Sequence, residues 1–402
     1  MNVSYVKSKQ NCIVCESDEF VVFYSNQRNF ELINSECLVF RQELESCYQC
    51  GLVRQVENES YSDENLNKYY ANTYRTPIQI DEVDKNDKRV INARKRLNFI
   101  QQLKSAGTLL EVGFGDGIFL AEASSKFKCV GIDVSEGYSY VHQFLQEKQV
   151  EIFNGQIEDF PQQKKFDIVC AFLVLEHIKQ PLQFIEKLKR HLEPDGVLII
   201  EVPDIECYKS FNSESLLTHE HLYHYTIETL ANLLAKGNLG LINASNKDIS
   251  YGFSLIAAFK NGSESPPVLT KGFHSLALFQ EFIEMRRNYQ QNMRKNLAAI
   301  IRRVKDINGT IAVYGTGFLF SFAVECCIED LQKIDYFFDD TTQKAGKKIG
   351  GKTIMPLKEL GNLNVSAVII FSETFFEFMK SNIVNIIKNR DIEIIDIHRL
   401  SL

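Results

Sequence analysis

Residues 108–120 read TLLEVGFGDGIFL, and the interpretation of this stretch decides the fold. Thr108 to Val112 is a short apolar run following Gly107, the pattern of a buried strand. Gly113, Gly115 and Gly117 then make a tight turn, and Ile118 to Ser124 reads as the start of a helix. A strand, a glycine turn and a helix N-terminus together let backbone N–H groups approach a nucleotide closely. The spacing is not the G-x-G-x-x-G of dinucleotide turns. It is E-x-G-x-G-x-G, with Glu111 on the strand.

The flanking segments extend the pattern. Lys128 to Asp133 (KCVGID) is a second strand, ending in an acid sixteen residues after Gly117. A carboxylate there can accept both hydroxyls of a ribose. Phe166 to Val174 is a third strand, followed by Leu175-Glu176-His177-Ile178, and Leu192 to Pro203 gives a turn and another strand. Over residues 105–205 these stretches, in this order, resemble the core of class I S-adenosylmethionine-dependent methyltransferases, whose cofactor has no pyrophosphate to cradle. The resemblance implies cofactor contacts from Glu111, Gly113, Gly115, Gly117 and Asp133. It also implies contacts near the adenine from Ile157 and Glu158, which follow the strand-like VEIFNG. A doubly wound nucleotide-binding domain of another kind is the alternative.

At 402 residues the chain has room for two or three domains, and 45% hydrophobic residues suffice for packed cores. No run of about 18 apolar residues suggests a membrane span, and MNVSYVKSKQNC has no apolar signal core, so a cytoplasmic protein is expected. Net charge is −7, and residues 1–75 carry 7 Lys and Arg against 11 Asp and Glu. That balance argues against a nucleic-acid partner, because a phosphate backbone needs a basic surface.

Ten cysteines in such a chain point to thiols or metal rather than disulfides. Cys12-Ile-Val-Cys15 and Cys47-Tyr-Gln-Cys50 form two C-x-x-C knuckles that can set four thiolates tetrahedrally around one Zn²⁺, with Gly51 relieving the second turn. Four thiolates close the coordination sphere, so the metal would be structural. A redox pair fits poorly, since neither knuckle lies in a βαβ context. Cys37 is a spare.

Residues 61–77, with four tyrosines, read as an ordered loop that either lines a ligand cleft or seals an interface. Asp87 to Lys104 has the apolar spacing of a helix leading into the first core strand. His177 reads either as a base at a pocket mouth or as a histidine orienting its loop. Thr218-His-Glu-His-Leu-Tyr-His224-Tyr225 holds three of the chain's eight histidines within six residues. Its spacings do not suit the zinc-protease helix; a base with a neighbouring carboxylate, His221 with Glu220, is the chemical reading. A polar loop packed by aromatics is the structural one.

Residues 239–260 read as a closing strand pair, and Phe273 to Ile307 as a long helix of on the order of 50 Å. From Thr310 an α/β pattern restarts with Gly315-Thr-Gly317 and Asp339-Asp340, but Phe320 stands where a third glycine of a dinucleotide turn would be. A scaffold or substrate-binding role is therefore expected of it. The domain plan is a zinc-binding module at 1–75, the core with its lead-in helix at 76–265, the bridging helix at 266–308 and a Rossmann-like domain at 309–402.

Paired knuckles, a tyrosine-rich stretch, Glu220-His221 and the ending DDTTQKAGKKIGGKTIMPL (339–357) together resemble the sugar C-methyltransferases, which act on nucleotide-linked 4-keto-6-deoxy sugars. The resemblance spans essentially the whole chain. It implies structural zinc on Cys12, Cys15, Cys47 and Cys50, S-adenosylmethionine in the core, and a nucleotide-sugar substrate touched by Tyr70, Tyr74, His177 and His224. His221 would take a proton next to the ketone, with Glu220 in support. Thr218 stands where the family has tyrosine, and Ser250-Tyr251-Gly252 replaces a His-Gly-Gly. An O-methyltransferase with the same base, and a zinc-stabilised binding protein, are the other readings.

Overall fold

The computed structural model describes residues 4–31, 37–73, 87–134, 139–210, 217–246, 253–262, 273–340, 344–349, 351–372, 376–388 and 390–397. The chain divides into two compact units, Met1–Phe211 with Leu216–Phe282, and Asn212–Ser215 with Ile283–Leu402.

The first unit contains two sheets. Its N-terminal strands are β1 (Ser4–Lys7), β2 (Glu19–Glu31), β3 (Cys37–Cys47) and β4 (Val53–Gln55). They pair antiparallel in sequence order. The two knuckles lie at the ends of these strands, where Glu16 and Gly51 take left-handed backbone angles, φ 66° and 76°. Helix α1 (Asp63–Thr73) follows. Part of the stretch read as a loop is therefore helical. The reason is local: no glycine or proline interrupts it, Asp63 and Glu64 occupy the first turn, and Glu64 pairs with Lys68 one turn on at 3.1 Å. Helix α2 (Lys88–Gln101) starts at Asp87, whose carboxylate accepts the Arg89 N–H at 2.8 Å.

The large sheet then begins with β5 (Gly107–Val112), helix α3 (Ile118–Ala123), β6 (Phe127–Asp133), helix α4 (Ser139–Glu147), β7 (Glu151–Asn154) and β8 (Phe166–Phe172). Helix α5 (Pro181–Arg190) has proline in its first turn, buries Phe184, Ile185 and Leu188, and ends in Lys187, Lys189 and Arg190, where the helix dipole favours cations. Next come β9 (Leu192–Pro203) and the two-residue strand β10 (Tyr223–His224). Helix α6 (Ile227–Lys236) opens with Thr226 and Thr229 capping each other. Strands β11 (Leu239–Ser245) and β12 (Ser254–Asn261) close the unit.

The seven strands run in the order β11-β12-β9-β8-β5-β6-β7. β5 to β9 are mutually parallel, while β12 runs antiparallel to both its neighbours. This is a mixed, Rossmann-like α/β sheet, with the strands expected from residues 105–205 in their expected places. The remaining strand, β10, joins the other sheet instead, pairing antiparallel with β4. One continuous apolar cluster includes Phe20, Phe40 and Leu52 beside the knuckles and Leu110, Val169 and Leu198 on the large sheet.

Helix α7 (Phe273–Asp306) buries Phe279 and Phe282 in the first unit. Its later residues Met293, Leu297, Ile300, Ile301 and Val304 enter the core of the second. That unit contains β13 (Ile311–Tyr314), α8 (Phe318–Leu331), β14 (Tyr336–Phe338), β15 (Lys348–Ile349), β16 (Lys352–Met355), β17 (Ala367–Ile370), α9 (Phe376–Ile387) and β18 (Glu393–Asp396). Its sheet order is β15-β16-β14-β13-β17-β18, parallel except for the β15–β16 hairpin. Among the described residues, no helix is long and apolar enough to cross a membrane.

Candidate active site

The three glycines after β5 all have left-handed backbone angles: φ is 81° at Gly113, 55° at Gly115 and 72° at Gly117. A Cβ on Gly113 would lie 2.5 Å from Val174, and one on Gly117 2.8 Å from Leu145, so both are packed from behind. A Cβ on Gly115 would meet nothing within 4 Å. That side of the turn is open. Asp133, at the end of β6, accepts the Gly115 N–H at 2.9 Å and so ties the two strand ends together.

Glu111 sits in β5 just before the turn and is buried. Burial pushes its carboxyl well above the ordinary range, Arg96 opposes this, and the carboxylates of Asp116, Asp133 and Glu201 add to it. One of its oxygens has no hydrogen-bond partner among the described residues. A buried carboxylate of this kind calls for a cation or a donor from outside the chain. A glycine cradle, an acid positioned for ribose hydroxyls and a carboxylate suited to an ammonium group fit the adenosyl amino acid expected here. Of the other expected contacts, Ile157 is buried in the apolar core, and Glu158 is exposed with its carboxylate bonded to Lys187.

β5 and β8 are parallel neighbours, so the loops leaving their carboxyl ends lie side by side. The β8 loop starts at Leu173, which is held at φ 56°, a left-handed angle uncommon for leucine. It continues through Val174, against Gly113, to Glu176 and His177. The Nδ1–H of His177 donates to the Glu220 carbonyl at 3.0 Å. This leaves Nε2 as the acceptor in the neutral ring, 3.8 Å from a Glu176 carboxylate oxygen. The His177 and His221 rings meet edge to face at 5.0 Å. A carboxylate oxygen of Glu176 and one nitrogen each of His177 and His221 all lie within 4.8 Å of one another.

The rest of the 218–225 segment is fixed by packing. His219 packs against the rings of both Phe40 (4.5 Å) and Tyr69 (4.4 Å), and the Tyr69 hydroxyl donates to the Glu220 carboxylate. His224 is buried, with its Nδ1 2.9 Å from the Tyr208 hydroxyl and its ring 4.9 Å from Phe279. Burial lowers its pKa to about 3, so the ring is neutral. Tyr70 lies on α1 beside Tyr69, its side chain outside the described residues, as are Tyr74 and the Ser250-Tyr251-Gly252 segment. From sequence, Glu176 is only the neighbour of His177, and Tyr69 only one of the four tyrosines of residues 61–77. Leu66 and Tyr69, both buried, are three apart on α1, a helical spacing that would have marked Tyr69 once a helix was assumed.

The four knuckle sulfurs also converge. Cys12 and Cys50 are 3.5 Å apart, Cys15 and Cys47 3.4 Å, and all four lie within 4.8 Å of one another. Thiolates around a tetrahedral zinc with bonds near 2.3 Å sit about 3.8 Å apart. The donor set and spacing therefore fit one such ion. A buried arginine holds the two knuckle segments together. Arg54 on β4 pairs with Glu45 at 2.8 Å and donates to the carbonyls of Asn11 (3.0 Å) and Gln10 (2.6 Å).

Residues 84–244 match the family model described as a methyltransferase domain. This part of the chain is a methyltransferase domain. The ubiquinone biosynthesis O-methyltransferase of Actinobacillus pleuropneumoniae serotype 7 is 38% identical over 118 residues, 26% of this chain and 50% of that protein. The tRNA U34 carboxymethyltransferase of Pseudoalteromonas translucida is 32% identical over 116 residues, 27% of this chain and 36% of that one. The chain thus spans half or less of the length of these relatives. The solved 1,6-didemethyltoxoflavin-N1-methyltransferase of Burkholderia thailandensis covers 45% of this chain and 80% of its own, at 16% identity and a TM-score of 0.36.

Proposed function

We propose that the protein transfers a methyl group from S-adenosylmethionine to a small molecule, through a proton-accepting centre of His221, His177 and Glu176. The observation that carries this reading is their placement: the cofactor turn and the histidine loop leave adjacent parallel strands at the same edge. When bound, the cofactor supplies an electrophilic methyl. Glu111, Asp133 and the glycine turn would hold it, and His221 would accept the acceptor's proton.

For the acceptor we propose a nucleotide-linked 4-keto-deoxy sugar, methylated on a carbon beside the ketone. Such a carbon becomes nucleophilic when its proton passes to His221 and the C–H electron pair forms an enolate. A carboxylate beside the imidazoles then offsets the charge they gain. Glu176 is grouped with His221, while Glu220, bonded to Tyr69, shapes the wall of the site. The four cysteines are read as holding structural zinc, and the second unit as a Rossmann-like domain. There the amide and hydroxyl of Thr316 and the ammonium of Lys344 all donate to one carboxylate oxygen of Asp339. We read that unit as a scaffold or a substrate-binding domain. We place the whole in the cytoplasm, without nucleic-acid or membrane partners.

O-methylation is the second reading. It is favoured by the similarity to a protein named as an O-methyltransferase, and the same base would serve a hydroxyl. Incubation with methyl-¹³C cofactor and a panel of keto and reduced deoxy-sugar nucleotides, read by NMR, separates the two. A carbon-bonded methyl, lost in His221→Ala, is the expected result. An oxygen-bonded methyl would overturn the enolate route, and no transfer to any member would remove the sugar assignment.

A further inference from the structure

The cysteine cluster and the histidine loop belong to the same sheet. Cys47 and Cys50 flank the turn that feeds β4: the Cys47 N–H donates to the Leu52 carbonyl at 2.8 Å and the Gly51 N–H to the Cys47 carbonyl at 3.0 Å. β4 then pairs with β10, Arg54 opposite Tyr223 and Val53 opposite His224. The Gln55 N–H donates to the Leu222 carbonyl at 2.8 Å, one residue beyond His221. From β3, the Gln42 side-chain amide donates to the Thr218 carbonyl at 3.2 Å. Gln42 is fully buried, and its side-chain oxygen has no partner among the described residues. Both ends of the Thr218–Leu222 loop are therefore tethered to strands that start or end at the knuckles. The opposite side is held by the core: the Leu222 N–H donates to the Glu176 carbonyl at 2.8 Å, and the Ile205 N–H to the Tyr225 carbonyl at 3.0 Å. The cofactor turn meets this network at Val174, which lies against Gly113 two residues before Glu176. The turn stands on β5 and β6, which pair in parallel and are joined at the turn by the Gly113 N–H to Ile132 carbonyl bond (2.8 Å) and the Asp133–Gly115 bond.

We propose that the four-cysteine centre is a positioning device for the acid–base loop. With its ion bound it fixes β4, β4 fixes β10, and His221 is thereby held against His177 and Glu176. This rests on the zinc and methyltransferase readings above. Its content beyond them is a division of labour: loss of the ion releases His221 and leaves cofactor binding intact. Gln42 is the positioning residue of the second tether, acting through the Thr218 carbonyl.

The test uses the full chain. Metal content is measured on the purified protein, the ion is removed with EDTA and 1,10-phenanthroline, and amide exchange and S-adenosylhomocysteine binding are compared before and after. Exchange in peptides covering 217–226 should accelerate by about tenfold or more. Peptides covering 107–118, and the dissociation constant for S-adenosylhomocysteine, should change by less than about twofold. Unchanged protection at 217–226 in metal-free protein would overturn the proposal, as would parallel loss of cofactor binding, which would make the ion a support of the whole unit. Protein purified without any ion would remove the zinc reading itself, leaving the cofactor site to stand or fall separately. Gln42→Leu tests the coupling with the metal in place. Metal content and cofactor KM should hold, while kcat falls about tenfold and exchange rises at 217–221. A variant with wild-type kcat and exchange would refute the positioning role.

Discussion

Alanine substitutions at Gly113 and Gly115 should separate stability from cofactor binding within one turn. Both residues have positive φ, 81° and 55°, so either alanine brings a backbone cost of about 1–2 kcal/mol. At Gly113 the new methyl would also sit 2.5 Å from Val174, in the loop leading to Glu176 and His177. Overpacking of that kind adds about 1–3 kcal/mol. Gly113→Ala should therefore destabilise the first unit by roughly 2–5 kcal/mol, the sum of those two contributions. At Gly115 nothing lies within 4 Å of the added methyl. Its stability loss should stay near the backbone cost, but the methyl enters the space assigned to the cofactor. A tenfold weaker complex is about 1.4 kcal/mol. At a ligand concentration of 100 times the wild-type Kd, the stabilisation by S-adenosylhomocysteine should drop from about 2.7 to about 1.4 kcal/mol. Calorimetric melting with and without ligand reads both quantities, and titration calorimetry gives the affinity. A Gly115→Ala protein that binds S-adenosylhomocysteine like wild type would refute the placement of the cofactor at this turn.

Two pH effects follow from buried groups. Glu111 has a raised pKa in the folded protein, so above the unfolded value of 4.5 the native state holds a proton that the unfolded chain has lost. Its contribution to stability therefore declines as pH rises through that window. Glu111→Gln should melt higher than wild type at neutral and alkaline pH, match it below about pH 4.5, and bind S-adenosylhomocysteine poorly; equal melting at all pH values would contradict the burial penalty. His224 has the opposite sign: with a folded pKa of about 3 against 6.5, the unfolded chain takes up the proton first, so acidification from 6.5 toward 3 weakens the fold. The slope from this group approaches about 1.4 kcal/mol per pH unit. His224→Gln should flatten it in urea unfolding series between pH 4 and 7, and an unaltered slope would assign the acid sensitivity elsewhere.

The strand, glycine turn and strand proposed to hold the cofactor were legible because their determinants are local. A strand, a turn that only glycine enters cheaply and an acid at the next strand end lie within 26 residues, and each is dictated by backbone geometry rather than by distant packing. The knuckles were legible for the same reason. Helix α1 was missed because its tyrosines suggested a lining loop, whereas an uninterrupted run with acids at its start sufficed for a helix. Glu176 could not be linked to His221 from sequence at all. The two are 45 residues apart, and their meeting depends on the turn after β8 and on the pairing of β10 with a strand near the N-terminus.

That distribution has a physical logic. The carboxylate next to His221 in sequence is bonded to Tyr69, while the carboxylate grouped with it in space comes from another loop. An acid–base centre assembled from two loops is only as well positioned as the contacts between them, and misplacement by about 1 Å can cost on the order of a hundredfold in rate. The Leu222 N–H to Glu176 carbonyl and His177 Nδ1–H to Glu220 carbonyl bonds tie the loops directly, and each also uses a buried polar backbone group that would otherwise need water.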